Sequence, residues 1–266
     1  MIKKIGFIGC GNMGSSMLGG LISKGFSNNE DIIVSTRSEK SKERLEKQYR
    51  VNATVHNEEV VEFADVLILA VKPYMYKDVI GKIKEHITKD KIIISIAAGI
   101  DLEDLHEMIG EDYKIIKTMP NTPALVGEGM SAICPNSNIN DEELEYVCNM
   151  FNSFGKYEIL SEEDFHGFIA LCGSSPAYVF MFIEAMADEA VKLGIPRNKA
   201  YKMAAQSVLG SAKMVLETGK HPGELKDMVC SPKGTTIEAV CELERLGFRN
   251  SIIGAMDKCA DKSKNM

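Results

Sequence analysis

Short apolar runs separated by longer polar segments fill the front half of the chain. They lie at 2–9 (IKKIGFIG), 32–34, 66–71, 92–96 and 113–116. Short apolar runs that alternate with helix-compatible segments are typical of buried strands in a parallel sheet covered by helices on both faces. The pattern therefore predicts an α/β fold with a doubly wound parallel sheet.

The pattern changes after about residue 160, where the strand signals fade. Segment 175–193, SPAYVFMFIEAMADEAVKL, predicts a helix with an apolar surface that nearly encircles residues 177–183. Because a small helical domain cannot cover that helix alone, we expect a homodimer through it. We divide the chain into an α/β domain, residues 1–160, and an all-helical domain, residues 161–266. The other predicted helices of the second domain span about 198–218, 223–229, 236–246 and 249–264.

Composition narrows the class of protein. The chain has 266 residues, 45% of them hydrophobic, and a net charge of −7, which favours a sizeable core and argues against a general nucleic-acid or membrane-surface binder. The apolar runs are too short and interrupted to span a bilayer, and no signal-peptide cleavage pattern follows the first, so we expect a cytoplasmic protein. The seven cysteines form no C-x-x-C pair and no histidine stands at ligand spacing, so no disulfide framework or metal site is expected.

The first apolar run ends in the turn GCGNMG at 9–14, which matches G-x-G-x-x-G between a predicted strand and a predicted helix. In a dinucleotide site, Gly9 would permit the tight turn, Gly11 would let the backbone approach a pyrophosphate, and Gly14 would let helix and strand pack closely. A glycine-rich turn with no ligand is the alternative. The context favours the Rossmann-type dinucleotide site.

The second predicted strand ends in VSTRS, with Ser35 and Arg37 at its tip and no acidic residue. A NAD site offers an acid to the ribose hydroxyls about 20 residues after the glycine turn, whereas an NADP site offers arginine and small polar groups. Asp31 precedes the strand and Glu39 follows the tip, so neither suits the acidic role. The tip favours NADPH, with NADH as an alternative hydride donor and a solvated Arg37 as the alternative interpretation.

Two more turns are expected at the same crevice, because ligands of open sheets bind beyond the carboxyl ends of the strands. They are AVKP at 70–73 and MPNTP at 119–123. Lys72 could reach cofactor or substrate, and nothing in the sequence supports a Schiff-base role for it. An ordinary loop remains the alternative for 119–123.

Five motifs together resemble one family, the pyrroline-5-carboxylate reductases: GFIGCGNMG at the start, AVKP, MPNTP, CGSSPAYVF at 172–180 and HPGELKDMVCSPKGTTIEAV at 221–240. The likeness covers nearly the whole chain. It implies NADPH-dependent reduction of the cyclic imine 1-pyrroline-5-carboxylate to L-proline, the last step of proline biosynthesis. It also implies interlocked dimers, with a decamer as the larger assembly.

The resemblance and the strand-tip argument assign contacts residue by residue. The expected cofactor contacts are Ile8, Gly9, Cys10, Gly11, Asn12, Met13, Gly14, Ser35, Arg37, Asn57, Ala70, Val71, Lys72 and Pro73. The expected substrate contacts are Ser231, Gly234, Thr235 and Thr236, with Thr236 as the catalytic side chain.

The turn SPKGTT at 231–236 holds no strong acid, base or nucleophile. Free N–H groups at the start of a helix suit a carboxylate, and a threonine hydroxyl can donate to an imine nitrogen or accept from its protonated form. The alternative is a capping box, in which Thr235 caps the helix and Glu238 reaches back to it. Glu238 would repel a substrate carboxylate, and Lys233 could offset that repulsion.

The sequence departs from the family pattern at two positions, with Lys233 where the family usually has glycine and Met228 where it commonly has asparagine. Two other functions stay open. A β-hydroxyacid dehydrogenase places a catalytic lysine early in the long helix, yet no lysine occurs between Lys156 and Lys192. A non-catalytic NADP-binding regulator would keep the glycine turn without the SPKGTT and CGSSPAY motifs.

Overall fold

The computed structural model describes residues 3–265 as two compact units. One unit contains the described residues up to Gly173 together with residues 263–265, and the other is Ser174–Lys262.

The first unit is built on a sheet of eight strands in the order β3-β2-β1-β4-β5-β6-β7-β8. Strands β6 and β7 are antiparallel, and the other neighbours are parallel. The first six strands have the order of a Rossmann fold, which confirms the doubly wound prediction. The strands are β1 Ile5–Ile8, β2 Ile32–Ser35, β3 Asn52–Thr54, β4 Val66–Leu69, β5 Ile92–Ser95, β6 Lys114–Met119, β7 Gly129–Pro135 and β8 Gly155–Ile159.

Helices cover both faces of this sheet. Within β1, Phe7 packs in one apolar core and Ile8 in the other, which explains why the run IGFI is apolar at every position. The helices are α1 Asn12–Ser23, α2 Glu39–Tyr49, α3 Asn57–Phe63, α4 Tyr76–Ile83, α5 Leu102–Ile109, α6 Asp141–Phe151 and α7 Phe165–Phe168, and a π-helical segment Ile169–Gly173 follows α7.

Three strands were not predicted: β3, β7 and β8. Strand β3 has three residues at the sheet edge, and β8, GKYEI at the other edge, is largely exposed, so neither carries a continuous apolar run. Strand β7 is mostly buried, but its sequence, GMSAICP, contains several small residues. None of the three contains a long aliphatic run, because these segments form strands through pairing with their neighbours rather than through their own hydropathy.

The first unit extends beyond the predicted boundary at 160/161. Phe165 and Phe168 of α7 are buried in a cluster with Ala132 and Cys134 of β7. The Glu162 carboxylate accepts hydrogen bonds from Lys117 Nζ at 2.7 Å and from the Leu102 backbone N–H at 2.8 Å. These contacts keep the segment 161–173 with the sheet.

The second unit is all-helical, as predicted. Its longest helix ends at Gly219, whose φ of 65° is the left-handed conformation that terminates helices. The helices are α8 Ser175–Lys192, α9 Arg197–Thr218, α10 Pro222–Val229, α11 Thr235–Arg245 and α12 Phe248–Lys264.

The second unit leaves much of its apolar surface uncovered. Among its residues the buried hydrophobic side chains are Ala187, Ala200 and Ala204, whereas Phe180 and Met181 of α8 are 63% and 68% exposed. The prediction that α8 has an apolar excess is therefore confirmed at the level of the single chain.

The helical segment Glu162–Lys192 is long and apolar enough by composition to cross a membrane. This corrects the expectation that every apolar run is too short, because a 3-10 turn at Glu162–Asp164, α7, the π-helical segment and α8 follow one another within a segment of 31 residues. Only 11% of the most apolar 18-residue stretch of this segment is buried within the chain.

Candidate functional site

The glycine turn follows β1 and leads into α1, as the sequence predicts. Gly9 has φ of +82°, and a Cβ built on it would lie 2.7 Å from Val71 Cγ1 and 3.0 Å from the Ala70 carbonyl oxygen. Its N–H donates to the Ser35 carbonyl at 3.1 Å. Only glycine fits this position, because any side chain would meet both a strained φ and the end of β4.

The other two glycines have different roles. A Cβ on Gly11 would meet no atom within 4 Å, so the space in front of this residue is open. A Cβ on Gly14 would lie 3.2 Å from Ala70 Cβ, which is the close packing of helix against strand. Gly11 is also the N-cap of α1, and neither a capping side chain nor an acid occupies the first turn. The turn thus fits a pyrophosphate group held on free N–H groups.

The tip of β2 is joined to the start of α3 by side chains. Ser35 is buried, and its hydroxyl donates to Asn57 Oδ1 at 2.7 Å. Asn57 is the first residue of α3. Asn57, which the family resemblance assigns to the cofactor, is therefore in contact with Ser35 at the tip of β2. The structure brings these two predicted cofactor residues together.

Arg37 lies just beyond this contact and is exposed. Among residues 3–265 no ion pair within 4.0 Å involves its guanidinium, which is therefore available to an anion. The next residue, Ser38, caps α2 through its hydroxyl, which accepts from the Ser41 N–H. The tip of β2 thus carries the unpaired Arg37 guanidinium next to the start of α2, and it carries no carboxylate.

The turn Ala70–Pro73 closes another edge of the crevice. The Ala70 N–H donates to the Ile8 carbonyl at 2.9 Å, and Pro73 starts a short 3-10 helix. Lys72 is exposed, so nothing in its surroundings desolvates the amine as a Schiff-base lysine requires.

Asn121 is a residue whose role the sequence did not reveal. The buried amide of this residue, in the turn 119–123, is bonded at both its nitrogen and its oxygen: Nδ2 donates to the Cys172 carbonyl at 2.9 Å, and Oδ1 accepts from the Met130 N–H at 2.8 Å. It therefore joins the end of β6 to the π-helical segment and β7. In the sequence, its polar side chain between Pro120 and Pro123 indicated only a rigid polar turn.

A cavity of about 360 Å³ lies at the carboxyl ends of β5 and β6. Lys117 Nζ and the Glu162 carboxylate in its lining pair with each other at 2.7 Å, and His166 Nδ1 lies 3.0 Å from Ser263 Oγ. The features of a dinucleotide site lie at the glycine turn rather than in the lining of this cavity.

The turn 231–236 lies in the second unit and is largely exposed. The Gly234 N–H donates to the Ser231 carbonyl at 3.0 Å, and Lys233 has φ of 58°. Pro232 before a left-handed residue is the pattern of a type II turn, whose third position favours glycine. Lys233 therefore holds a backbone conformation that costs a side chain about 1–2 kcal/mol.

The capping-box alternative is wrong. The N-cap of α11 is Gly234 rather than Thr235, and no side chain caps this helix end. The helix starts one residue earlier than in a T-x-x-E capping box, so Thr235 and Thr236 are the first two helical residues and Glu238 is the fourth. The first N–H groups of α11 therefore stay free of side-chain partners.

Two described protein families match parts of the chain. The family described as "Pyrroline-5-carboxylate reductase dimerisation" matches residues 162–266, and the one described as "NADP oxidoreductase coenzyme F420-dependent" matches residues 4–99. The pyrroline-5-carboxylate reductase of Escherichia coli (strain K12) is 53% identical over 100% of this chain and 99% of its own length. That of Methanosarcina acetivorans is 41% identical over 99% of this chain and 98% of its own.

Solved structures give the same result. The chain matches the pyrroline carboxylate reductase of Plasmodium falciparum, solved with NADP bound, with a TM-score of 0.89 and 34% identity over 99% of this chain and 97% of that one. It matches the pyrroline-5-carboxylate reductase of Coxiella burnetii with a TM-score of 0.93 and 32% identity over 100% and 98% of the two chains.

Proposed function

The chain belongs to the pyrroline-5-carboxylate reductase family, and from that premise we propose how its residues carry out the reaction. Members of this family are NADP-dependent oxidoreductases that reduce 1-pyrroline-5-carboxylate in the last step of proline biosynthesis, and this chain is one of them. Membership of this family excludes the two other functions considered from the sequence, a β-hydroxyacid dehydrogenase and a non-catalytic NADP-binding regulator.

The cofactor assignment follows the geometry of the first unit. The pyrophosphate would lie at Gly11 and the first turn of α1, and the adenosine end would lie at Ser35 and Asn57. Arg37 would pair with the 2′-phosphate that distinguishes NADPH from NADH. When bound, NADPH supplies the hydride that adds to the carbon of the C=N bond.

The substrate assignment uses the start of α11. The free N–H groups of Thr235, Thr236 and Ile237 would bind the substrate carboxylate, and the Thr236 hydroxyl would accept a hydrogen bond from the protonated ring nitrogen. An imine nitrogen takes its proton from solvent, so the turn requires no carboxylic acid. The observation that carries this proposal is the N-cap at Gly234, which leaves the first turn without a side-chain partner.

Three variants of Thr236 test the hydroxyl. Removing a hydrogen bond made at the reacting group costs about 100-fold in kcat/KM, so Thr236→Ala and Thr236→Val are expected to lose about that much. Thr236→Ser, which keeps the hydroxyl, should stay within about tenfold of the wild type. The measurement is NADPH oxidation with 1-pyrroline-5-carboxylate. A loss below about threefold for Thr236→Ala, or equal losses for alanine and serine, would reject the role.

We further propose a homodimer in which α8 packs against a second copy, with a decamer as the larger assembly. The exposed side chains of Phe180 and Met181 support an apolar interface. Light scattering without detergent should give at least a dimer, and Phe180→Glu should reduce the mass, because an interface excludes an unpaired charge. A monomeric wild type would reject the interface.

A cytoplasmic location is part of the same proposal. All seven cysteines are free thiols, which suits a reducing compartment. The apolar segment 162–192 is then explained by subunit contact rather than by a bilayer.

A further inference from the structure

Three hydroxyl groups form a buried hydrogen-bonded network beneath the cofactor crevice. They belong to Tyr76 of α4, Ser95 of β5 and Thr118 of β6, and each residue is at most 1% exposed. None of these residues belongs to the motifs that suggested the function. Buried hydroxyl groups are costly unless they are hydrogen-bonded, and a network of bonded hydroxyl groups fixes the backbone groups that it contacts.

The phenol of Tyr76 lies at the last residue pair of β4 and β5. Its hydroxyl donates to the Leu69 carbonyl at 2.7 Å and lies 3.0 Å from Ser95 Oγ. Leu69 and Ser95 are register partners in the sheet, so one side chain fixes the ends of two neighbouring strands.

Leu69 directly precedes the turn that supports the glycine turn. The Ala70 carbonyl lies 3.0 Å from the Cβ position of Gly9, and Ala70 Cβ lies 3.2 Å from that of Gly14. A displacement of the Leu69–Ala70 peptide would therefore move the surface against which both glycines pack.

The same network continues to the next strands. Ser95 Oγ accepts from the Ala97 N–H at 3.5 Å, and the Ser95 carbonyl accepts from the Thr118 hydroxyl at 2.9 Å. Residues 96–99 form the turn after β5, and Gly99 in this turn has φ of 75°. The hydroxyl network thus anchors the backbone at the carboxyl ends of the neighbouring strands β4 and β5.

We propose that Tyr76 is a positioning residue for the dinucleotide: through Leu69 and Ser95 it holds the turns at 70–73 and 96–99 in the geometry that binds NADPH. The phenol is buried and acts through the backbone, so it needs no contact with cofactor or substrate. The proposal rests on the cofactor site described above.

The network is intact across the working pH range. Burial raises the pKa of Tyr76 to about 12, with the hydrogen bond from Ser95 opposing the shift. The phenol therefore stays protonated and keeps donating to Leu69 well above neutral pH.

The test compares Tyr76→Phe, which removes only the hydroxyl, with Ile83→Val on the same helix and in the same core cluster. NADPH affinity is measured by the fluorescence of the bound cofactor, together with KM for both substrates and the melting temperature. Tyr76→Phe should weaken NADPH binding about tenfold while KM for the imine changes less than about twofold. Ile83→Val should lower the melting temperature but leave NADPH affinity within about twofold.

Ser95→Ala is the second variant, and it keeps the proposal testable if Tyr76→Phe does not fold. It should weaken NADPH binding in the same direction, and the double variant should lose less than the sum of the two single effects, because both act through one network. Unchanged NADPH affinity in Tyr76→Phe, or an equal loss in Ile83→Val, overturns the positioning role. Failure of the wild type to bind NADPH would instead reject the cofactor site.

Discussion

The chain contains two turns of the same local design, one in each unit. In the first, Gly9 has φ of +82° and Gly11 caps α1; in the second, Lys233 has φ of 58° and Gly234 caps α11. Neither helix has a capping side chain. Both turns therefore present free N–H groups and the positive end of a helix to an anion.

The two turns differ in what surrounds them. The first is packed by its own unit, since Val71 and Ala70 lie within contact distance of Gly9 and Gly14. The second is exposed, and its close neighbour is Ser231 of the same turn, whose Oγ would clash with a Cβ on Gly234. The charges differ as well, because the first turn of α1 holds no acid, whereas that of α11 holds Glu238.

This difference agrees with the two different ligands proposed for the turns. A rigid turn without nearby acid suits a diphosphate that binds in one geometry, whereas an exposed turn that carries both Lys233 and Glu238 suits a small zwitterion-like substrate. Substitutions at matched positions in the two turns should separate ligand binding from folding.

The largest effect is expected for Gly11→Ala. Gly11 has φ of −73°, which alanine adopts, and its Cβ would meet no protein atom, so the free energy of unfolding should change by less than about 0.5 kcal/mol. The methyl group would occupy the space needed by the pyrophosphate, so NADPH affinity should fall about 100-fold or more.

Gly81→Ala is the matched control, because its Cβ on α4 also meets no atom within 4 Å. It should leave NADPH affinity unchanged and raise the free energy of unfolding by about 0.5–1 kcal/mol, since alanine favours the helix. NADPH titration and thermal unfolding measure both quantities. Normal NADPH affinity in Gly11→Ala would remove the glycine turn from the cofactor site.

An intermediate effect is expected for Arg37→Ala. Loss of a hydrogen bond between charged groups costs about 1.5–3 kcal/mol, so kcat/KM with NADPH should fall about 10- to 100-fold. The value with NADH should change little, because NADH lacks the 2′-phosphate. Lys47→Ala removes an exposed cation from the last turn of α2 and should alter neither value. A wild type that prefers NADH would contradict the assignment of Arg37.

The first turn could be predicted from the sequence because its requirements are local. Each of Gly9, Gly11 and Gly14 meets the steric condition that its place in G-x-G-x-x-G implies. The start of α11 was only partly predictable: the spacing of Thr235 and Glu238 matched a capping box, yet the turn closed by Gly234 sets the N-cap one residue earlier.

Long-range contacts explain the rest of what the sequence did not reveal. Asn121 bonds the Cys172 carbonyl 51 residues away, and Tyr76 meets Ser95 19 residues away. Strands β7 and β8 likewise depend on pairing partners rather than on their own hydropathy. No periodicity or motif encodes such partners, because they meet only after the sheet has formed.

The smallest effect is expected for substitutions of Lys233. Lys233→Gly relieves the left-handed backbone and should raise the free energy of unfolding by about 1 kcal/mol. If the substrate carboxylate binds at the start of α11 as proposed, the change also removes a neighbouring cation, which is worth about 0.3–1 kcal/mol and should raise KM for the imine about two- to fivefold. Lys233→Ala separates the two contributions, because it keeps the backbone strain and removes the charge. Thermal unfolding and imine kinetics on both variants check the result. Equal stability of the glycine and alanine variants would show that the turn is unstrained, and an unchanged KM in both would show that Lys233 does not attract the carboxylate.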